Sequence, residues 1–232
     1  MDAQTAQQIS TLAAEVETGL RAHADPDYVA GTIAARHPGK PVLGVRIPLL
    51  RATVKSGLRS AGITARDPNP AVVFGAADAL WHGQLHEGEL AAAMMLRVRA
   101  LVMPAAMITA WAPLLDNWLS VDELGGVVGV SLCADPALLG RLAGLAVSES
   151  VWQRRLYVVS LIRPVKAGLN VGEVAGLADL LREKDPAVRK ACVWLINEAI
   201  KARGPAAAAQ FRRLVPTDEP KPVVRILDAA LT

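Results

Sequence analysis

Proline opens segment after segment of this 232-residue chain, often with an aspartate before it: Asp25-Pro26, Pro48, Asp67-Pro68, Pro104, Asp135-Pro136, Asp185-Pro186, Pro205 and Pro220. In the first turn of a helix proline gives up an N–H that has no partner there, and an aspartate just outside accepts a neighbouring one. Behind these marks apolar residues return at three- and four-residue spacing, and no Asn-Gly or Asp-Gly turn divides alternating runs. The pattern predicts about a dozen helices with short connections, so successive helices run antiparallel. Paired helices in this order predict an all-α fold, an α-solenoid of about six HEAT-like repeats. No linker divides the chain, and residues 1–232 read as a single domain.

Composition agrees. The chain is 52% hydrophobic and 20% charged, the balance of a globular protein, and with only 4% aromatics its apolar content is largely Ala, Leu and Val. A net charge of +3 suits a polyanionic partner without requiring one. The first ten residues lack a basic start and an apolar core, so no secretory leader is expected. The longest apolar stretch, residues 101–115, is interrupted by Pro104 and Pro113 and is too short for a bilayer. Cys133 and Cys192 are too few for a disulfide framework and are expected to be reduced and buried. These features together predict a cytoplasmic protein with no membrane contact.

Three segments do not read as core alone. In the helix expected from Pro186 to Arg203, Val188, Ala191, Cys192, Leu195 and Ala199 make the apolar stripe. Beside it runs Lys190, Trp194, Asn197 and Lys201, an indole among lysines and an amide, which suits a binding surface. In residues 116–132, Val121, Leu124, Val128 and Leu132 form the core stripe, while Trp118 and Asp122 stand four apart, followed by Gly125, Gly126 and Gly129. Glycines that each cost helix stability could admit a bulky partner to the backbone. The alternative stays open: Ser120 caps the helix with Glu123 in a capping box, and Asp122 is a first-turn anion. The third segment, Trp152-Gln153-Arg154-Arg155, is either a solvated helix end or a phosphate clamp. Arg51, Lys55 and Arg59, near Arg46, recur at four-residue spacing as a cationic ridge.

Other chemistries leave no mark. His82 and His86 are four apart without a catalytic glutamate or a third ligand, so no metal is expected. There is no glycine-rich phosphate loop or nucleophile elbow, and neither cysteine reads as a nucleophile. No cofactor is predicted.

Five landmarks in order resemble a known family. They are Gly44-Val45-Arg46-Ile47-Pro48-Leu49-Leu50-Arg51, Leu80-Trp81 with His86-Glu87, Asn117-Trp118-Leu119-Ser120-Val121-Asp122, Trp152-Gln153-Arg154-Arg155, and Val188-Arg189-Lys190-Ala191 with Trp194. On them the chain resembles the AlkD-type alkylpurine DNA glycosylases, HEAT-like repeat proteins of DNA alkylation repair. Leu119 stands where some relatives carry an acid. The resemblance implies a monomer that cradles duplex DNA on a concave face and excises N3- and N7-alkylated purines, with no cofactor. It implies Trp118 and Trp194 as site tryptophans, Asp122 as the catalytic carboxylate and Arg155 as a DNA-contacting arginine. Arg154, Lys190, Lys201, Arg51 and Lys55 join Arg155 as expected DNA contacts. A non-catalytic relative that binds branched or distorted DNA is the alternative.

Overall fold

The computed structural model describes residues 1–36, 38–215 and 221–231, and every regular element among them is helical. The all-α expectation holds. The chain divides into two compact units, Met1–Leu101 and Val102–Thr232.

The first unit contains α1 (Ala3–Ala22), α2 (Pro26–Arg36), α3 (Ile47–Ser60), α4 (Pro70–His82) and α5 (His86–Val98). Helix α1 packs on α3 and α4, and α5 on the same two. Their apolar stripes, such as Leu12, Val16 and Leu20 against Leu50, Val54 and Leu58, are fully buried. A buried acid organises the approach to α3: Glu87 accepts N–H bonds from Leu43 (3.0 Å), Gly44 (2.9 Å) and Val45 (3.2 Å). Gly44 sits at φ +78°, and a Cβ there would strike the Asp25 carbonyl, so only glycine serves. Lys40 pairs with the buried Glu89 at 2.7 Å, fixing the start of the same segment. The Gly44-Val45 and His86-Glu87 landmarks are thus two halves of one structural device.

The second unit contains α6 (Ala105–Trp111), α7 (Trp118–Ala134), α8 (Leu138–Arg141), α9 (Val151–Ser160), α10 (Ile162–Lys166), α11 (Leu177–Leu180), α12 (Pro186–Arg203), α13 (Pro205–Leu214) and α14 (Lys221–Leu231). Here contacts recur at a nearly constant sequence offset. Asp122 meets Arg155, Gly125 meets Val159 and Gly129 meets Arg163, offsets of 33, 34 and 34. Arg155 meets Ala187 and Lys166 meets Glu198, offsets of 32 and 32. Numbers that rise together mean that α7, the α9–α10 rod and α12 run parallel. The short α8 and α11, with 3-10 turns at Ala143–Val147 and Val171–Glu173, bring the chain back between them. This is a helical repeat that sequence comparison within the chain does not reveal. Pro164 lies inside α10; it has no N–H for the Ser160 carbonyl, which accounts for the break between α9 and α10.

Several helix starts differ from the proline pattern. Pro26, Pro48, Pro186 and Pro205 do lie in first turns, and Asp185 caps α12 by accepting from the Ala187 N–H at 2.7 Å. At Asp67-Pro68 the helix begins two residues later, at Pro70, with Asn69 as its cap. The reason is Pro70 itself, which disfavours helical geometry at the residue before it. Pro104 caps α6 from outside, and Asp135 closes α7, with α8 beginning only at Leu138. Pro220 lies outside the described residues. Cys192 is buried as expected, but Cys133, near the end of α7, is exposed.

Candidate active site

Helix α7 begins one turn earlier than a Ser120 cap requires. Asn117, fully buried, is the cap: its Oδ1 accepts from the N–H groups of Leu119 and Ser120, both at 3.0 Å. Its Nδ2 donates to Ser120 Oγ at 3.0 Å, so Ser120 is a buried helix residue and the capping-box reading with Glu123 is excluded. Trp118 is therefore the first residue of α7, and Asp122 lies one full turn along on the same face. The signal was present in the sequence as an asparagine, a strong capping type, one residue before the helix.

Asp122 faces α9. Arg155 donates Nε to its Oδ1 at 3.0 Å and Nη2 to its Oδ2 at 2.9 Å, a two-pronged pair whose side chains are 8% (Arg) and 18% (Asp) exposed. The third nitrogen, Nη1, donates to the Ala187 carbonyl in the first turn of α12. One guanidinium thus ties three parallel helices together around one carboxylate. Burial pushes the Asp122 carboxyl above its ordinary range, against the opposing pull of Arg155.

The tryptophans divide cleanly. Trp81 and Trp111 are fully buried, whereas Trp118 is 38% and Trp194 39% exposed. Trp194 lies seven residues after Ala187, two turns along the same face of α12, the helix whose first turn Arg155 binds. Trp152, three residues before Arg155 on α9, is half-buried. Val188, Ala191, Cys192, Leu195 and Ala199 form the buried stripe of α12, and Lys190 and Lys201 stand exposed next to it, as the spacing predicts.

The glycines do something other than admit a partner. A Cβ on Gly125 would lie 2.6 Å from Val159 Cγ1, and one on Gly129 3.0 Å from the Ser160 carbonyl. Those two let α9 pack closely on α7; among the three, only Gly126 faces open space.

The expected cationic residues have different surroundings. Arg154 donates Nε to Glu183 at 2.9 Å and Nη1 to the carbonyls of Ser148 and Glu149, holding the turn before α9. Arg155 is committed to Asp122 and Ala187, as above. Lys201 pairs with Glu198 at 3.0 Å, and Glu198 also takes Lys166 at 2.7 Å. In the first unit Arg51, Lys55 and Arg59 line the exposed side of α3, while Arg46 pairs with Asp25 and stacks 4.8 Å above the Tyr28 ring. Sequence reading missed Asn117, the Ala187 carbonyl and Glu198; the first and last sit within the expected helices, but the carbonyl has no side-chain signature.

Among the described residues no group of three His, Cys, Asp or Glu side chains is placed to hold a metal, and His82 is exposed while His86 is buried. No described helix is long and apolar enough to cross a membrane. The thiol of Cys192 is pushed up to about 12 by burial, and that of Cys133 is also raised by partial burial. Neither is an activated nucleophile.

A search of curated proteins returns no match to this chain. A family model does match: that of the DNA alkylation repair enzymes, over residues 16–211, which takes in all five landmarks and the whole Trp118–Asp122–Arg155–Trp194 constellation. This chain belongs to the DNA alkylation repair enzyme family.

Proposed function

We propose that the protein is a monofunctional DNA glycosylase that hydrolyses the N-glycosidic bond of cationic N3- or N7-alkylated purines in duplex DNA. The observation that carries this reading is the Asp122 carboxylate, partly buried and held in one orientation by Arg155, on a helix that also exposes Trp118, with a second exposed tryptophan, Trp194, on the helix that Arg155 ties to it.

The chemistry fits one anion. An alkylated N3 or N7 makes the purine a positively charged leaving group, so no acid is needed to protonate it. The C1′–N9 bond breaks with its electron pair going to the base, which leaves neutral, while positive charge grows on the deoxyribose. Asp122 stabilises that charge and orients the water whose oxygen forms the new bond to C1′; the water's proton goes to solvent. Arg155 occupies the inner edge of both carboxylate oxygens, which leaves their outer lone pairs for the sugar and the water. Arg155 is thus a positioning residue as well as a candidate phosphate contact through the two N–H groups that Asp122 and Ala187 do not take. Indole faces at Trp118 and Trp194 favour a cationic lesion through their quadrupoles. Lys190, Lys201, Arg51 and Lys55 supply contacts to the phosphate backbone.

The ion pair itself favours one rival. Because Arg155 offsets the charge of Asp122, the same pair could serve only to join helices in a non-catalytic DNA-binding relative. Incubation with duplex DNA carrying 7-methylguanine or 3-methyladenine separates the two. A glycosylase releases the free base and leaves an abasic site; salt-sensitive binding without release establishes the rival.

A further inference from the structure

Helices α10 and α12 together carry six Lys or Arg residues (Arg163, Lys166, Arg189, Lys190, Lys201 and Arg203) and a single acid, Glu198. That acid stands one turn beyond Trp194 on the same face of α12. It is bound symmetrically: Oε2 accepts from Lys166 Nζ at 2.7 Å and Oε1 from Lys201 Nζ at 3.0 Å. These two bonds hold its carboxyl below the ordinary range. The two lysine side chains are 43% and 72% exposed, so solvent reaches the ammonium groups.

The arrangement matches a phosphodiester in form. A backbone phosphate likewise presents two unsubstituted oxygens that share one negative charge, each able to accept from a separate ammonium. We propose that Glu198 is an internal stand-in for one DNA backbone phosphate, holding Lys166 and Lys201 side by side until a phosphodiester takes its place. Exchange is inexpensive because an exposed ion pair contributes little to stability. The device does two things. It sets two flexible lysines close to their bound separation, and it sets a threshold, because DNA must displace a carboxylate before both lysines engage. It also adds Lys166 to the phosphate contacts. The inference rests on the DNA-binding reading above.

The test is Glu198→Gln, which keeps the side chain's size and removes its charge. Binding of an unmodified duplex is followed by fluorescence anisotropy from low to physiological salt. The variant is expected to bind several-fold more tightly at low salt and with a steeper slope of log affinity against log salt, because the phosphodiester no longer has a carboxylate to displace and the repulsion that carboxylate exerts is screened as salt rises. Adding Lys166→Ala and Lys201→Ala to the variant should abolish both gains. Unchanged affinity and slope in Glu198→Gln, or weaker binding with the melting temperature intact, overturns the proposal. If the wild type binds DNA with the expected salt dependence and only the variant's gain is missing, this inference alone fails. If the wild type binds no duplex at any salt, the DNA-binding reading fails and takes this one with it.

Discussion

Asp122→Asn keeps the shape of the side chain and deletes its charge, and two separate costs follow. The first is catalytic. An anion aimed at the developing sugar cation in a partly buried site is worth about 3–4 kcal/mol, so excision of 7-methylguanine should fall by roughly two to three orders of magnitude. The second is structural. The Arg155 side chain is only 8% exposed, and asparagine offers it one oxygen where aspartate offered two, setting an amide N–H₂ against the other donor. Leaving one donor poorly paired costs about 1–3 kcal/mol, with roughly 2–4 °C of melting temperature lost per kcal/mol at this chain length. Single-turnover base release at 25 °C, with melting curves alongside, keeps the two costs apart. Arg155→Ala sharpens the test. It removes the group that draws the Asp122 carboxyl down and leaves burial, which pushes it up. The acid limb of the pH–rate profile should then move to higher pH, and activity lost near neutrality should partly return as pH rises. Asp122→Asn has no carboxyl to titrate and should show no such recovery. Arg155→Lys, which keeps charge without the two-pronged geometry, should fall between wild type and Arg155→Ala. Stability runs the other way. A carboxyl whose folded titration lies above its unfolded value contributes most below the unfolded value, and that contribution is lost as pH rises through the folded one. The group should therefore favour stability on the acid side and activity on the alkaline side. Wild-type rates in a folded Asp122→Asn protein, or an Arg155→Ala profile that does not move, would refute the reasoning.

Two further outcomes test the packing. Gly125→Ala forces a methyl against Val159 and should cost about 1–3 kcal/mol, whereas Gly126→Ala, facing open space, should leave stability unchanged or raise it by up to about 1 kcal/mol; thermal melts that rank the two the other way contradict the α7–α9 interface. A small thiol reagent at mildly alkaline pH should label Cys133 in the folded protein and reach Cys192 only on unfolding, as peptide mapping can verify.

Much of the site was legible because it lies on single helices. Trp118 and Asp122 are one turn apart, as are Trp194 and Glu198, and periodicity alone shows that Lys190 and Trp194 avoid the stripe of Leu195 and Ala199. The pairing of Asp122 with Arg155 was not legible: the two are 33 residues apart, and nothing local to either names the other. The same limit explains the glycines. From their own helix Gly125 and Gly129 read as room for a bulky partner, and only the neighbouring α9 shows that the space is filled. Glu198 was passed over because a lone acid on a basic helix reads as a solvated charge until Lys166, from another helix, arrives beside it.

The sequence by itself determined the all-α class, most helix starts and the buried stripes, because capping, proline geometry and the 3.6-residue period act within a few residues of one another. Tertiary structure alone decided that three parallel helices share an offset of 32–34 residues. It also decided that both arginines beside Trp152 are engaged within the chain, and that one of them clamps the candidate catalytic carboxylate. Those are contacts between helices, set by which faces meet when apolar stripes bury one another, and a single helix carries no record of its partner's register.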